Sequence, residues 1–366
     1  MINKLVLANL KHRPVRTFLS LLAIGVEVTM MLTLVGLSDG MLEDAARRAR
    51  GMGAEILVRA PGTSLISLST ASMPQELIPL FFLKQPHVVL AAGTVVQPIG
   101  GISTVTGIDI EEFNRISGGF RFIGKGGPFQ GARDAIVDEP FARQNGLKVG
   151  STLRLLNQDW RVCGIVEPGK LARVFVPRAT LQDLTGSTGK LSNIFLKLDS
   201  SANTDKVIAA LKEKLPDYSI ISMEELTSTY SVSNVPGLSA FIGVIIGLSV
   251  VVGFLVVFLS MYTAVLERTR EVGILKALGA SQMYVLNIIF RETALLAVAG
   301  SVLGIALTYG SRWAIMACAP ASLTQKIVPN WWPIAGGIAV AGALLGALYP
   351  AWKSASQDAI EALSYE

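Results

Sequence analysis

Histidine and cysteine are nearly absent from this 366-residue chain, at two each, and that scarcity removes whole classes of chemistry. His12 and His87 cannot supply a histidine-rich metal site, and Cys163 and Cys318 cannot build a disulfide framework. A single bridge between the two is open in an oxidising compartment, but a buried thiol at each is the preferred reading. Charge is sparse as well. Asp, Glu, Lys and Arg make up 16% of the residues against 51% hydrophobic ones, and the mean hydropathy of +0.51 excludes a purely soluble chain. No nucleophile, base and orienting group stand in a recognisable pattern, so catalysis by this chain is not expected. Residues 119–126, GFRFIGKG, fit the first seven positions of a phosphate-binding G-x-x-x-x-G-K loop, but Gly126 replaces the Ser or Thr that would hold magnesium.

What the chain does have is four apolar runs, at 17–37, 238–266, 284–316 and 332–351, each reaching the ~20 residues that cross a bilayer as a helix. The first follows Lys4, Lys11, His12, Arg13 and Arg16. Its length and the lack of an A-x-A site at 38–40 point to a retained span and not a cleaved signal. Residues 1–16 read as a cytoplasmic amphipathic lead-in. The N-terminus, segment 267–281 and Lys353 are richer in cations than loop 317–331, which has only Lys326, so both termini are expected in the cytoplasm. Trp313, Trp331 and Trp332 then mark the outer interface, and Tyr349 and Trp352 the inner one, with 352–366 as a cytoplasmic tail.

Residues 38–237 must then lie outside, in a unit large enough for a core of its own. Positions 38–236 hold 21 Lys plus Arg against 20 Asp plus Glu, so the chain's net +5 resides mostly in the membrane-flanking parts and nothing calls for nucleic acid. Nine short strands are predicted, at 54–60, 88–97, 102–107, 135–138, 152–156, 161–166, 173–176, 193–198 and 218–222. Helices are predicted at 74–82, 109–116, 139–145, 178–184 and 204–215, with Asp109 and Glu112 as a capping box and Gly146 and Gly186 as stops. Residues 59–73 and 117–131 read as loops. The fold class is therefore an α-helical membrane protein with four transmembrane helices plus a large extracytoplasmic α+β domain inserted between helices 1 and 2. Residues 37–50 and 223–235 are expected as stalks.

Segment 267–281, ERTREVGILKALGAS, is charged yet patterned. Ile274, Leu275 and Leu278 fall on one helical face, Arg268, Glu271 and Lys276 supply polar surface, Gly279 offers a stop and Ser281 a cap. A plain charged hairpin would explain the charges but not the stripe. Gly243 with Gly247, Gly300 with Gly304 and Gly342 with Gly346 each repeat at four residues and are candidate helix-packing faces. Glu27 sits in the first span, where an acid disfavours lipid, and is expected to face protein or water. It is either a carboxyl bonded to a neighbouring helix such as one bearing Ser249 or Ser260, or part of an intramembrane substrate or dimer site with Met30 and Met31.

The order of spans, the segment RTREVGILKALGAS, NLKHRPVRTFLSLLAIGVEV, VTGID, VDEPFARQNGLKVGSTLRL, FRETALLAVAGSVLG and YPAWKSASQDAIEAL together resemble the FtsX-like permeases, and more narrowly the MacB-type ABC transporter permeases. The resemblance implies that Glu271, Val272, Gly273, Ile274, Leu275, Lys276, Leu278 and Gly279 belong to a coupling helix that docks on an ABC ATPase. MacB carries that ATPase ahead of its first span. None stands ahead of residue 17 here, so it is expected on a separate subunit, with ATP and magnesium bound there and no cofactor on this chain. The resemblance also implies a second permease protomer, a homodimer being favoured over two different permeases. An inner-membrane location among lipids and an optional periplasmic membrane-fusion protein follow from it too. Its two functional readings are export or extraction of a substrate from the periplasm or outer leaflet by transmitted force, and FtsX-like regulation of a cell-wall hydrolase.

Overall fold

A computed structural model describes residues 14–61, 73–100, 103–230, 237–267, 269–321 and 323–356. Residues 1–13 of the lead-in expected at 1–16, most of the loop expected at 59–73 and the end of the stalk at 223–235 lie outside the described residues, and 14–16 form the start of the first helix. The chain forms two compact units, one made of Met1–Asp39, Pro236–Ile315 and Gln325–Glu366, the other of Gly40–Val235 and Met316–Thr324.

The first unit is helical. Helix α1 (Pro14–Arg50), whose residues from Gly40 on belong to the second unit, runs past the 37 where its apolar run ends, because residues 38–50 hold no proline and keep good helix formers such as Met41, Leu42, Ala45 and Ala46. Among the described residues four helices are long and apolar enough to cross a membrane, and the chain is a multi-pass membrane protein with an α+β domain between the first two. Their core packs Ile24, Val28 and Met31 of α1 against Val257 and Met261, Leu296 and Ala297, and an i, i+4 row of Ala335, Ala339, Ala343 and Ala347. Small residues on that row let backbones approach, which in lipid replaces the hydrophobic drive.

In the second unit nine strands make one sheet: β1 (Ile56–Arg59), β3 (Val88–Gly100), β4 (Ser103–Ile108), β5 (Asp134–Asp138), β6 (Thr152–Leu155), β7 (Gln158–Val166), β8 (Val174–Pro177), β10 (Asn193–Leu198) and β11 (Ser219–Ser222). The order is β11-β1-β10-β3-β4-β8-β5-β7-β6, and β2 (Met73–Pro74) with β9 (Lys190–Leu191) forms a small second ladder. Among the described strands the parallel pairs are β4 with β8 and β5 with β7. Apolar residues bury on both faces of the sheet, around Trp160, Phe82 and Leu181 on one and Phe113, Phe175 and Phe195 on the other. Leu156 and Asn157, both at positive φ, make the two-residue hairpin between β6 and β7, and the Trp160 indole N–H donates to the Leu155 carbonyl at 3.2 Å.

The helices of this unit are α2 (Leu77–Leu80), α3 (Ile110–Ser117), α4 (Glu139–Gln144), α5 (Arg178–Leu184), α6 (Thr204–Lys214) and α7 (Met223–Thr229). Asp109 caps α3 by accepting from the Glu111 and Glu112 amides, but Glu112 turns away from the cap and pairs with Arg178 at 2.6 Å. The phosphate-loop resemblance does not survive. Lys125 is followed by no helix, and the loop's Ile123 and Gly127 amides donate to Ile165 and Cys163 carbonyls. Cys163 is half-buried, and Cys318 is exposed at a helix end and not buried as expected.

Asp134 is nearly fully buried, and its carboxylate accepts from the Gln130 and Gly131 amides at 2.6 and 2.9 Å and from Arg161 at 3.0 and 3.1 Å. Burial pushes its pKa up, but the hydrogen bonds from Arg161, Gln130 and Gly131 outweigh that and leave it below the usual carboxylate value. A depressed folded-state pKa supplies stability above the unfolded value that is lost as pH falls through the folded one. Asp134→Asn is therefore expected to lower neutral-pH stability by about 1–3 kcal/mol. The gap to wild type should close as the medium is acidified below the carboxylate range, as read by thermal unfolding of the detergent-solubilised chain.

Candidate functional site

Between α8 (Leu238–Glu267) and α10 (Gln282–Cys318) the chain forms the short helix α9 (Thr269–Ala277). Thr269 is buried and its hydroxyl donates back to the Val265 and Leu266 carbonyls at 3.2 and 2.9 Å, fixing the turn out of α8. Gly279 takes φ +91°, with its own amide bonded to the Lys276 carbonyl and the Ala280 amide to Leu275, a left-handed stop. Ser281 then caps α10 by accepting from the Tyr284 amide at 3.3 Å.

The stripe differs from the helical-wheel reading. Ile274 and Leu278 are 47% and 81% exposed, whereas Leu275 and Val272 are half-buried and Gly273 is buried. Lys276 is not free polar surface either: its ammonium donates at 2.7 Å to the Ala355 carbonyl at the C-terminal end of α11 (Trp332–Ser356), where a helix dipole favours a cation. Lys353 of the same end meets the Tyr262 hydroxyl at 3.1 Å and its ring at 5.0 Å from the centroid. Thus α9 is braced to α11 and leaves an apolar pair turned outward. Arg268 lies outside the described residues, as does the side chain of Glu271.

Glu27 is only 7% exposed and packs on Gly253 of α8, where any Cβ would overlap its carboxylate. Among the described residues its Oε1 has no hydrogen-bond partner. Neither serine considered above reaches it: Ser249 donates to Ile245 in its own helix, and Ser260 pairs with Ser20 at 2.5 Å. Met31 is buried in the helical core alongside Glu27, whereas Met30 is 43% exposed, so of the two methionines only Met31 shares the buried side of α1 with Glu27.

The glycine pairs separate in the same way. Gly300 and Gly304 lie against Ile24, Gly25 and Val28 of α1, while Gly346 lies on the Phe254 carbonyl of α8 and Gly342 in ordinary contact with Val250. Gly243 and Gly247 have open space before them and meet no helix among the described residues. The close approach of α1 to α10 is marked by Thr29, which donates to the Gly304 carbonyl at 3.0 Å, and by Thr33 and Ser311 at 2.9 Å. Gly25 and Gly253 take part in these contacts with no four-residue partner to announce them.

Sequence spacing also missed a buried ion network in the α+β unit. Asp44 near the end of α1 accepts from Arg47 and Arg48, and from Arg173 at 2.7 Å, while Arg173 also donates to Asp138 at 3.0 Å. Burial pushes the Asp138 carboxyl up, opposed by Arg173, and pushes the Arg48 guanidinium down, opposed by Asp44. Only the i+3 and i+4 pairs within α1 are local enough to be visible in sequence.

Residues 17–214 match the MacB-like periplasmic core domain, and residues 243–359 match the FtsX-like permease C-terminal family. The uncharacterized ABC transporter permease YknZ of Bacillus subtilis is 32% identical over 210 residues, covering 54% of this chain and 50% of that one. The macrolide export ATP-binding/permease protein MacB of a Shewanella species (strain ANA-3) is 26% identical, covering 98% of this chain and 60% of its own length. The chain thus spans half to three fifths of the length of these relatives. The crystal structure of the periplasmic region of MacB from Actinobacillus actinomycetemcomitans aligns at 15% identity and a TM-score of 0.38, covering 49% of this chain and 94% of that one. The chain belongs to the FtsX-like ABC transporter permeases that carry a MacB-like periplasmic core domain.

Proposed function

We propose that this chain is the permease subunit of a MacB-type ABC transporter that exports or extracts a substrate from the periplasm or outer leaflet, driven by ATP hydrolysis on a partner ATPase subunit. The observation that carries the reading is α9, a braced helix between two membrane-spanning ones that turns Ile274 outward, with Leu278 exposed in the turn just past its end. An exposed apolar pair held on a rigid base fits insertion into a groove on a partner. A push on α9 passes to α11 through Lys276, and α1 continues unbroken from Pro14 to Arg50, ending in the Asp44 network. In this reading the protein sits in the inner membrane with α9 and both termini in the cytoplasm. ATP and magnesium are held by the ATPase, a second protomer completes the permease, and a membrane-fusion protein is an optional periplasmic partner.

Replacing Leu278 with Asp places an unpaired carboxylate in that contact, which disfavours docking by several kcal/mol when no cation faces it. Its high exposure leaves folding and insertion intact. Co-purification of the ATPase is expected to fall at least tenfold and ATP-dependent transport to stop, while Leu278→Met stays near wild type. An Asp variant that retains the ATPase and transports normally would sink the reading.

A further inference from the structure

The long strand β3 is shared between two half-sheets. Its residues Val88–Thr94 pair with β10 on one edge, and Thr94–Gly100 pair with β4 on the other. Because β4 ends at Ile108 opposite Thr94, the β4-side edge of β3 is paired with no described strand from Gly93 back towards Val88. The Gly93 peptide on that edge is capped by side chains: its N–H donates to Glu112 at 3.3 Å, and its carbonyl accepts from Arg178 at 3.0 Å. Strand alternation puts the N–H and carbonyl of Ala91 on the same edge, two residues on, and no described strand or side chain reaches them.

That edge forms part of the lining of a groove of about 1040 Å³. Ile78, Pro79 and Leu83 line the groove as well, and so do Glu112 and Arg115 of α3 and Lys190 of β9. Leu80, Leu83 and Val89 are 62%, 44% and 54% exposed, an apolar cluster at this edge. Glu112 is neutralised by Arg178, and Arg115 meets Glu111 only at 3.8 Å with 70% of its side chain exposed, so Arg115 and Lys190 give the rim a positive bias against Glu76.

We infer that this slot takes an extended segment of a separate polypeptide as an added β-strand, bonded to the Ala91 edge, with alternate apolar side chains against Leu83 and Val89 and an acidic residue towards Arg115 and Lys190. The place of a missing strand is the geometry that strand addition requires: backbone bonds give affinity, and side pockets and charge give selectivity. The inference rests on the α+β unit alone and stands apart from the reading of α9.

The test uses the full chain in detergent micelles and a fluorescent hexapeptide, Thr-Val-Asp-Val-Thr-Val, followed by anisotropy. Saturable binding is expected, with a loss of about tenfold when alternate amides of the peptide are N-methylated, since the methyl groups remove backbone bonds to the strand edge. Ala91→Pro is expected to give a similar loss. It deletes the edge donor while leaving the ladder to β10, and proline is tolerated on an open edge. Arg115→Glu is expected to favour the same peptide with Lys in place of Asp. Equal binding of the N-methylated peptide would reduce the contact to apolar adhesion and overturn the proposal, and this comparison on the wild-type chain holds even if Ala91→Pro fails to fold. Absence of saturable binding, or self-association of the chain abolished by Arg115→Glu without any peptide binding, would overturn it too, the latter by giving the slot to a second copy.

Discussion

Replacing Arg173 with Met is expected to destabilise the α+β unit by about 3–5 kcal/mol, a loss that unfolds it well before the wild-type chain in a thermal scan. Arg173 is 12% exposed and bonds two carboxylates that are themselves 6% and 2% exposed, Asp44 at 2.7 Å and Asp138 at 3.0 Å. Met keeps much of the volume, so the effect comes from leaving buried charge uncompensated and not from a cavity. Arg47 and Arg48 still hold Asp44 from its own helix, whereas among the described residues the Asp138 carboxylate retains just the Phe141 amide at 2.9 Å as a hydrogen-bond partner. Burial already holds the Asp138 carboxyl above the usual value, and losing Arg173 pushes it higher. A group with a raised folded-state pKa adds stability below its unfolded value that is lost as pH rises through the folded one, so the mutant's deficit is expected to shrink as pH falls. A deficit that stays constant from neutral pH down through the carboxylate range would show that uncompensated charge is not its origin.

How far the residues announce this architecture depends on the range of the interaction. The apolar runs and the strands are local patterns, and β5, β8 and β10 lie within a residue or two of where alternation and β-branched runs put them. Helix α5 lies at the expected 178–184, because Arg178–Leu184 carries no breaker and ends before Gly186 at φ +64°. The two-residue strands β2 and β9 were invisible, since a single pair of residues has no period. Helix α7 lies in the stretch expected as stalk, and its start is marked in the sequence by Ser222, which accepts from the Glu225 amide as an N-cap.

For the candidate site the limit is the same. Gly279 and Ser281 act locally and could be read. The outward face of α9 could not, because Lys276 is drawn to Ala355, some 80 positions away, and this fixes which side of a nine-residue helix is inside. Four-residue glycine spacing marks a face that can be approached but not what approaches it. Gly300 and Gly304 meet α1, while the same spacing at Gly243 and Gly247 meets open space.

That distinction gives the sharpest expectation for the helical unit. Gly304→Leu and Gly253→Leu both force a large side chain between α1 and its neighbour, and each is expected to reduce the yield of monodisperse protein severely, as overpacking by a whole side chain costs about 1–3 kcal/mol or more. They differ in what yields. A Cβ at 304 would stand 2.6 Å from the Gly25 carbonyl oxygen and 2.7 Å from the Val28 Cβ, atoms fixed to the α1 backbone. A Cβ at 253 meets only the Glu27 carboxylate, the far end of a flexible side chain whose Oε1 has no partner. Glu27→Ala should therefore rescue Gly253→Leu, because the exchange roughly conserves volume and replaces an unsatisfied buried carboxyl with apolar packing. Glu27→Ala should give no relief to Gly304→Leu. Size-exclusion profiles and melting temperatures of the two single leucine variants and their Glu27→Ala doubles decide it. Rescue at both positions, or at neither, would show that Glu27 and Gly253 are not the paired contact of α1 with α8.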